Sequence, residues 1–256
     1  MFHLVSENGI TVLRSSLLDD IPGVSHAFTT RLGGVSQGIY EALNLSLAVG
    51  DSCEAVRENR SRVGNILGAA TERITLQSQQ HAAGVVRLER SGRDGEHEAD
   101  AFVTTETATP ALVGTADCVP ILMASEDGSV VAAVHAGWRG IVAGVIANAV
   151  DVMARICGAR PERIRAAVGP HIRPCCFEVG HEVAICFPAN AVISRGNDLF
   201  VDMAAAATER LSESGIRQEN IDISLLCTRC RSDLFFSHRG SGGRTGRMAS
   251  VILRSA

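Results

Sequence analysis

The chain has 256 residues, 46% of them hydrophobic and 20% charged, which supports a sizeable core and excludes a disordered chain. A net charge of -4 and a pI near 6.1 leave no basic footprint for nucleic acid or an acidic membrane surface, so the expected partner is a small molecule.

Residues 1–8 lack the basic and apolar regions of a signal peptide, so the expected location is the cytoplasm. The eight cysteines (Cys53, Cys118, Cys157, Cys175, Cys176, Cys186, Cys227 and Cys230) then read as thiols, metal ligands or a nucleophile rather than a disulfide framework. No internal repeat and no Pro/Ser-rich linker divides residues 1–256, and one catalytic domain is expected.

In chain order, Asp51 with Glu54 has the form of a capping box opening a helix towards Leu67. The Thr-rich stretch before Pro110 carries no clear pattern. Residues 111–115, 121–124 and 130–135 are short apolar runs, the last two joined by a hairpin-turn sequence, Ser125-Glu126-Asp127-Gly128. Residues 140–159 read as one helix ending near Gly158. Its polar Asn148, Asp151 and Arg155 share one face, so it lies on a core and does not span a bilayer. Residues 164–168 and 221–226 look like buried strands, and 202–214 is an Ala-rich helix with Gly215 beyond its end. Tight hairpins among mixed elements argue against a doubly wound parallel sheet, and the expected class is α+β, with mixed β-sheets and flanking helices.

Three motifs carry chemistry. Thr115-Ala116-Asp117-Cys118-Val119-Pro120 places a polar pair between two apolar strands. There a side chain is both rigidly held and reachable, although a buried structural cysteine has the same appearance. In Val134-His135-Ala136-Gly137-Trp138-Arg139-Gly140 a histidine closes an apolar run and glycines flank the single tryptophan, a packing residue on size alone. Gln77-Ser78-Gln79-Gln80-His81 is polar and reads equally as surface. Two histidines and one cysteine match the three protein ligands of a catalytic zinc site, but spacing alone does not join them. Cys227-Thr228-Arg229-Cys230 and Cys175-Cys176 offer a rival metal site, in which one CxxC lacks the second half of a four-ligand set. The glycine-rich run 239–247 lacks the Gly-Lys-Ser/Thr ending of a triphosphate-binding loop.

The sequence resembles the polyphenol oxidase or laccase-domain family, whose members are also described as purine nucleoside phosphorylases and as a peptidoglycan editing factor. The resemblance runs from His26-Ala27-Phe28-Thr29-Thr30-Arg31-Leu32-Gly33-Gly34 through Leu43-Asn44-Leu45, Asn59-Arg60, Gln80-His81, Ala116-Asp117-Cys118 and His135-Ala136-Gly137-Trp138. It continues through Gly169-Pro170-His171-Ile172, Cys176-Phe177-Glu178-Val179-Gly180, Cys227-Thr228, Phe235-Phe236-Ser237 and Thr245-Gly246-Arg247. It implies a layered α/β/β/α fold, zinc held by His81, Cys118 and His135, and catalytic roles for Cys118, Asp117 and His135. The implied substrates are purine nucleosides with phosphate, cleaved by phosphorolysis, and adenosine, deaminated. Arg31, Arg244 and Arg247, whose guanidinium groups bind oxyanions bidentately, and Asn44 are the candidate substrate contacts. The same family assigns Cys176 and Cys227 to the scaffold. Ala82 stands where the family has glycine and His238 where tyrosine is common. Copper is expected only adventitiously, because eight histidines are too few for multicopper oxidation. Two other functions remain open: a hydrolase with Cys118 as nucleophile and His135 as base, editing peptidoglycan precursors, and a non-enzymatic metal- or redox-responsive protein. No oligomeric state is implied.

Overall fold

A computed structural model describes residues 1–89 and 94–255. The strands are β1 (Phe2–Glu7), β2 (Ile10–Ser15), β3 (Val24–Thr29), β4 (Val85–Leu88), β5 (Ala101–Thr104), β6 (Ala111–Thr115), β7 (Val119–Ser125) and β8 (Val131–Ala136). There follow β9 (Ile164–Val168), β10 (Glu178–Val179), β11 (Val192–Arg195), β12 (Asp198–Val201), β13 (Ile221–Ile223) and β14 (Met248–Arg254). The α-helices are α1 (Ser16–Asp19), α2 (Cys53–Leu67), α3 (Trp138–Ala143), α4 (Val145–Asp151), α5 (His181–Ala184) and α6 (Met203–Glu213).

An antiparallel sheet runs β1-β2-β3-β14-β6, and a mixed sheet runs β13-β9-β7-β8-β5-β4. A third, small sheet holds β10-β12-β11. Period-two alternation sorts the apolar side chains into layers. From β7, Leu122 and Ala124 meet Phe28, Val113 and Ile252 of the first sheet, while Ile121 and Met123 face the other way, onto Ile146, Ala149 and Leu211. From β14, Val251 and Leu253 turn to Val63 and Ile66 of α2. The result is α2, sheet, sheet and then α3, α4 and α6, the expected α/β/β/α layering.

Several local expectations are corrected. The helix over 140–159 is broken at Gly144, whose φ of +91° cannot propagate a right-handed helix; α4 then continues as a π-helical turn, Val152–Ile156. Helix α2 is capped by Ser52, which accepts from Ala55 N–H, because Asp51 is engaged by the Ser36 hydroxyl at 2.6 Å and the Asn44 amide at 2.9 Å. The strand expected over 221–226 stops at Ile223, and Leu225 beyond it is exposed. The Thr-rich stretch conceals β5, whose four residues are all buried; a run that short carries no period. The hairpin turn forms as expected, with Asp127 accepting from Ser125 and Ser129. Among the described residues no helix is long and apolar enough to cross a membrane.

His26 of β3 is buried and accepts the Ser15 N–H on Nε2 at 2.9 Å, while its Nδ1 lies 3.7 Å from the Asp19 carboxylate. Burial, with Arg14 and His3 nearby, pulls its pKa down from 6.5 to about 3. The unfolded chain therefore takes up a proton near pH 6.5 that the folded chain refuses, so this stability is full above that pH and lost as pH falls towards 3. Urea midpoints measured at pH 7 and pH 5 are expected to show a loss of about 2 kcal/mol from this group. His26→Gln is expected to flatten that part of the slope, and an unchanged slope in the variant would refute the assignment.

Candidate metal centre and cavity

The first two sheets meet at one end, where β6 leaves the first and β7 begins the second. The chain crosses between them through Ala116-Asp117-Cys118. This crossover is why a polar pair interrupts two apolar strands. Asp117 makes the turn at a φ of +93°, a left-handed conformation that is strained for a non-glycine residue. His135 is the penultimate residue of β8, next to β7 in the second sheet. His81 lies in the loop before β4, also left-handed, with a φ of +53°.

Asp100, just before β5 and fully buried, joins these pieces. One carboxylate oxygen accepts from His81 N–H at 2.9 Å and from His135 Nδ1 at 2.8 Å; the other accepts from Gln80 N–H at 3.1 Å and Ala82 N–H at 2.9 Å. Burial works against its charge, but the His135 ring and the N–H groups of Ala82 and His81 outweigh it and hold the carboxyl below the usual carboxylate range. With Nδ1 committed, His135 presents Nε2 as its donor. Gln79 anchors the same loop to β6, accepting Gly114 N–H at 2.7 Å and donating to Gly114 O at 2.9 Å.

One donor atom from each of His81, Cys118 and His135 lies within 4.8 Å of the others. The two imidazole rings stand edge to face at 4.7 Å. A methyl group on Gly137 would sit 3.0 Å from His81 Nδ1 and 3.2 Å from Cys118 Sγ, so glycine keeps clear the space that these donors face. Burial would raise the Cys118 thiol, but His135 and His81 overcome it and bring its pKa down to about 6. Burial would likewise lower His135, but Cys118 and Asp100 lift it to about 9. A thiolate and imidazolium are thus held together by a proton that a divalent cation can replace. The donor set fits such a cation.

A cavity of about 460 Å³ opens beside these donors, within the range of small-molecule sites. Its wall includes Ile172, Phe177, Gln79, His238, Arg239 and Arg247. Asp117 lines it too, yet both its oxygens are engaged, by the Thr228 hydroxyl at 2.6 Å and Arg239 N–H at 2.7 Å. The carboxylate thereby ties the loop after β13 and the run before β14 to the crossover.

The candidate substrate residues separate. Arg247 lines the cavity; its Nη1 donates to the carbonyls of Thr245 and Gly246, while Nε and Nη2 make no hydrogen bond among the described residues. Arg31 is not in the wall: it is bound to the carbonyls of Glu41 and Ser232 and stacks on Phe236 at 4.8 Å. Asn44 is buried and fully used, donating to Ser46 O and Asp51 and accepting from Ser46 N–H and Arg247 N–H, so it seats Arg247 without reaching the cavity. Arg244 is exposed and outside the wall. Ala82 replaces glycine at an exposed position, where its methyl group is accommodated. His238 lies on the cavity rim. Trp138 packs against the core under the second sheet, as size suggested.

Asp100 and Arg239 escaped the sequence reading. Asp100 had one signal, an acid immediately before the apolar Ala101-Phe102-Val103; Arg239 had none beyond its place in a glycine-rich run.

A family model described as multi-copper polyphenol oxidoreductase laccase matches residues 25–255. A Deinococcus radiodurans protein named purine nucleoside phosphorylase is 39% identical over 95% of this chain and 93% of its own length. Purine nucleoside phosphorylase YfiH of Escherichia coli (strain K12) is 38% identical over 90% of this chain and 93% of its own length. Among solved structures, YlmD from Geobacillus stearothermophilus superposes with a TM-score of 0.90 at 29% identity, covering 100% of both chains. NMB0706 from Neisseria meningitidis gives a TM-score of 0.82 at 34% identity, covering 100% of this chain and 99% of its own.

Asp100→Asn is expected to lower metal affinity by about 10–100-fold, because the partner that fixes the His135 tautomer is weakened. Gly137→Ala is expected to abolish stoichiometric binding while leaving the fold intact, since the glycine φ of -66° suits alanine. Metal titration alongside circular dichroism checks both; wild-type affinity in Gly137→Ala would refute the cradle.

Proposed function

The chain belongs to the family described as multi-copper polyphenol oxidoreductase laccase, and from that premise we propose that it is a zinc-dependent purine nucleoside phosphorylase that also deaminates adenosine. The observation that carries the reading is the convergence of His81, Cys118 and His135 on a cavity that also holds Arg247. Relatives named purine nucleoside phosphorylase, similar over at least nine-tenths of this chain, support the reaction. The substrates are adenosine, inosine, guanosine and methylthioadenosine, with inorganic phosphate, and residues 1–256 act as one catalytic domain.

Zinc suits two imidazoles and one thiolate with a fourth position open. When bound there it supplies a Lewis acid and acidifies a coordinated water, the chemistry that deamination of adenosine requires. Copper can compete for the same donors by affinity. The described residues contain no second histidine-bearing group of candidate ligands, which favours zinc over multicopper oxidation.

The remaining residues divide the work. Arg247, with Nε and Nη2 available, holds a phosphate oxyanion. Arg239, stacked on Phe177 with 5.5 Å between the guanidinium carbon and the ring centroid, adds positive charge to the same wall. Ile172 and Phe177 supply an apolar surface for the purine, and His238 on the rim offers a polar ring in place of a phenol. Asp100 keeps His135 in one tautomer and His81 in place.

A second reading draws on the Cys118–His135 pair, whose lowered thiol pKa also suits a nucleophile with its base, in a hydrolase acting on peptidoglycan precursors. A chelator separates the two. Phosphorolysis of inosine and ammonia release from adenosine are expected to vanish on chelation and return with zinc; chelator-resistant turnover of an amide substrate would favour the hydrolase.

Cys118→Ala is expected to remove the metal and lower kcat/KM for inosine by more than about 100-fold, since it deletes a ligand outright. Arg247→Ala is expected to raise the KM for phosphate by about 10–100-fold, the worth of one or two charge-assisted hydrogen bonds. Phosphate-dependent kinetics that are unchanged in Arg247→Ala would remove that residue from the phosphate site.

A further inference from the structure

The rival cysteine motifs of the sequence lie on two loops far apart in the chain, and the fold brings them together. Cys175 and Cys176 follow β9 in the loop to β10; Cys227 and Cys230 follow β13. His171 and Cys227 form an isolated parallel bridge that carries the β9–β13 pairing into these loops. The second half of the four-ligand set, missing from the CxxC motif alone, is supplied by the other loop.

We infer that Cys175, Cys176, Cys227 and Cys230 form a second metal site, a tetrathiolate centre of the zinc class that clamps the two loops walling the cavity. All four Sγ atoms lie within 4.8 Å of one another, with Cys175 and Cys230 at 3.6 Å and Cys176 and Cys230 at 3.4 Å. A zinc ion with Zn–S bonds of about 2.3 Å places its tetrahedral sulfurs about 3.8 Å apart, so the cluster already has the dimensions of that shell. None of the four is in a disulfide.

The loops are also shaped to hold the sulfurs together. Cys227 is buried, and its Sγ accepts the backbone N–H of Arg173 at 3.4 Å. Its own loop is a turn closed by Arg231 N–H on Cys227 O at 3.0 Å. An amide N–H aimed at sulfur from the neighbouring loop is the kind of support that metal-bound thiolates have. On the opposing loop, Cys176 and Phe177 donate their N–H groups to Arg173 O at 2.8 and 2.9 Å, a tight turn that presents neighbouring cysteines together. Four thiolates with one divalent cation carry a net charge of minus two, and Arg173 and Arg229 in the same segments work against it, while Arg231 is paired with Asp233 at 2.7 Å. Cys175 and Cys230 are exposed, which gives a cation its way in.

The centre is structural, with four protein ligands and no open position, and it braces the cavity from behind. Ile172 and Phe177, on either side of the cysteine pair, line the cavity. Thr228, inside the CxxC turn, donates to Asp117, the neighbour of Cys118. This inference does not depend on the chemistry proposed for His81, Cys118 and His135.

The test is zinc stoichiometry of the full chain, purified under reducing conditions, by elemental mass spectrometry. Wild type is expected to hold two zinc ions, with one left in Cys230→Ser and one left in Cys118→Ala. Cobalt reconstitution of Cys118→Ala is expected to give thiolate-to-cobalt charge transfer several-fold stronger than in Cys230→Ser, because four sulfurs bind in the first and one in the second. Cys230 is exposed, so serine leaves the core intact, and stepwise release of zinc from wild type by a mercurial thiol reagent reads the same site without a variant. No zinc remaining in Cys118→Ala, or an undiminished count in Cys230→Ser, overturns the inference. So does a disulfide between the two loops in the freshly purified reduced chain. Loss of zinc from the His81 site alone would refute the proposed function and leave this centre standing.

Discussion

A single buried carboxylate holds the candidate centre together. Asp100 accepts from three consecutive backbone N–H groups and from the His135 ring, so it replaces lost hydration with four donors from two separate segments. An isolated buried charge would be unfavourable; this one is stabilised only if the loop carrying His81 and the strand carrying His135 stand in register. The β5–β8 pairing, Ala101 opposite Val134, sets that register from the sheet side. The left-handed turn at His81 lets three successive N–H groups point at one acceptor. The proposed metal binding thus rests on backbone geometry behind the donor side chains.

The position of the centre follows from the same economy of layers. Two sheets packed face to face must be joined by a crossover, and the connection from β6 to β7 is one. Polar residues are tolerated there because both backbones are ending and their hydrogen-bonding groups need partners. Asp117 meets this need in three directions, through Thr228, Arg239 N–H and, at its own carbonyl, Ile172 N–H at 2.9 Å. The crossover thereby draws in the loops after β9 and β13 and the glycine-rich run before β14. Phe177, Arg239 and Arg247 reach one cavity through those links.

The proposed four-thiol clamp sits on the far side of the same links. Its loops contribute Ile172 and Phe177 to the cavity and Thr228 to Asp117. A cation there would stiffen the wall without touching substrate, as a disulfide does in an oxidising compartment, but with reduced thiols. The chain would then use one set of cysteine chemistry for reaction and another for support, separated by ligand number.

Much was legible in the sequence. Apolar runs located β6, β7, β8 and β9, because fully buried strands leave little room for polar residues. Flanking motifs singled out His81, Cys118 and His135 in order along the chain. Local pattern failed where the deciding contact is distant. The helix through Gly144 looked continuous because its apolar face persists across a backbone break that only φ reveals. Asp51 looked like the cap of α2, but Ser36 and Asn44 claim one of its oxygens and Ser52 N–H the other. Arg31, Asn44, Arg244 and Arg247 looked alike in composition; the fold gave the first to the Glu41 carbonyl, the second to Arg247, the third to solvent and the fourth to the cavity. The sequence by itself determined the class of fold and which residue types can bind a soft divalent cation, because periodicity and donor chemistry are local properties. Only the tertiary structure decided that Asp100 orients two of the ligands and that Cys175 and Cys176 meet Cys227 and Cys230. Those pairings span tens of residues along the chain and exist only once the two sheets have closed.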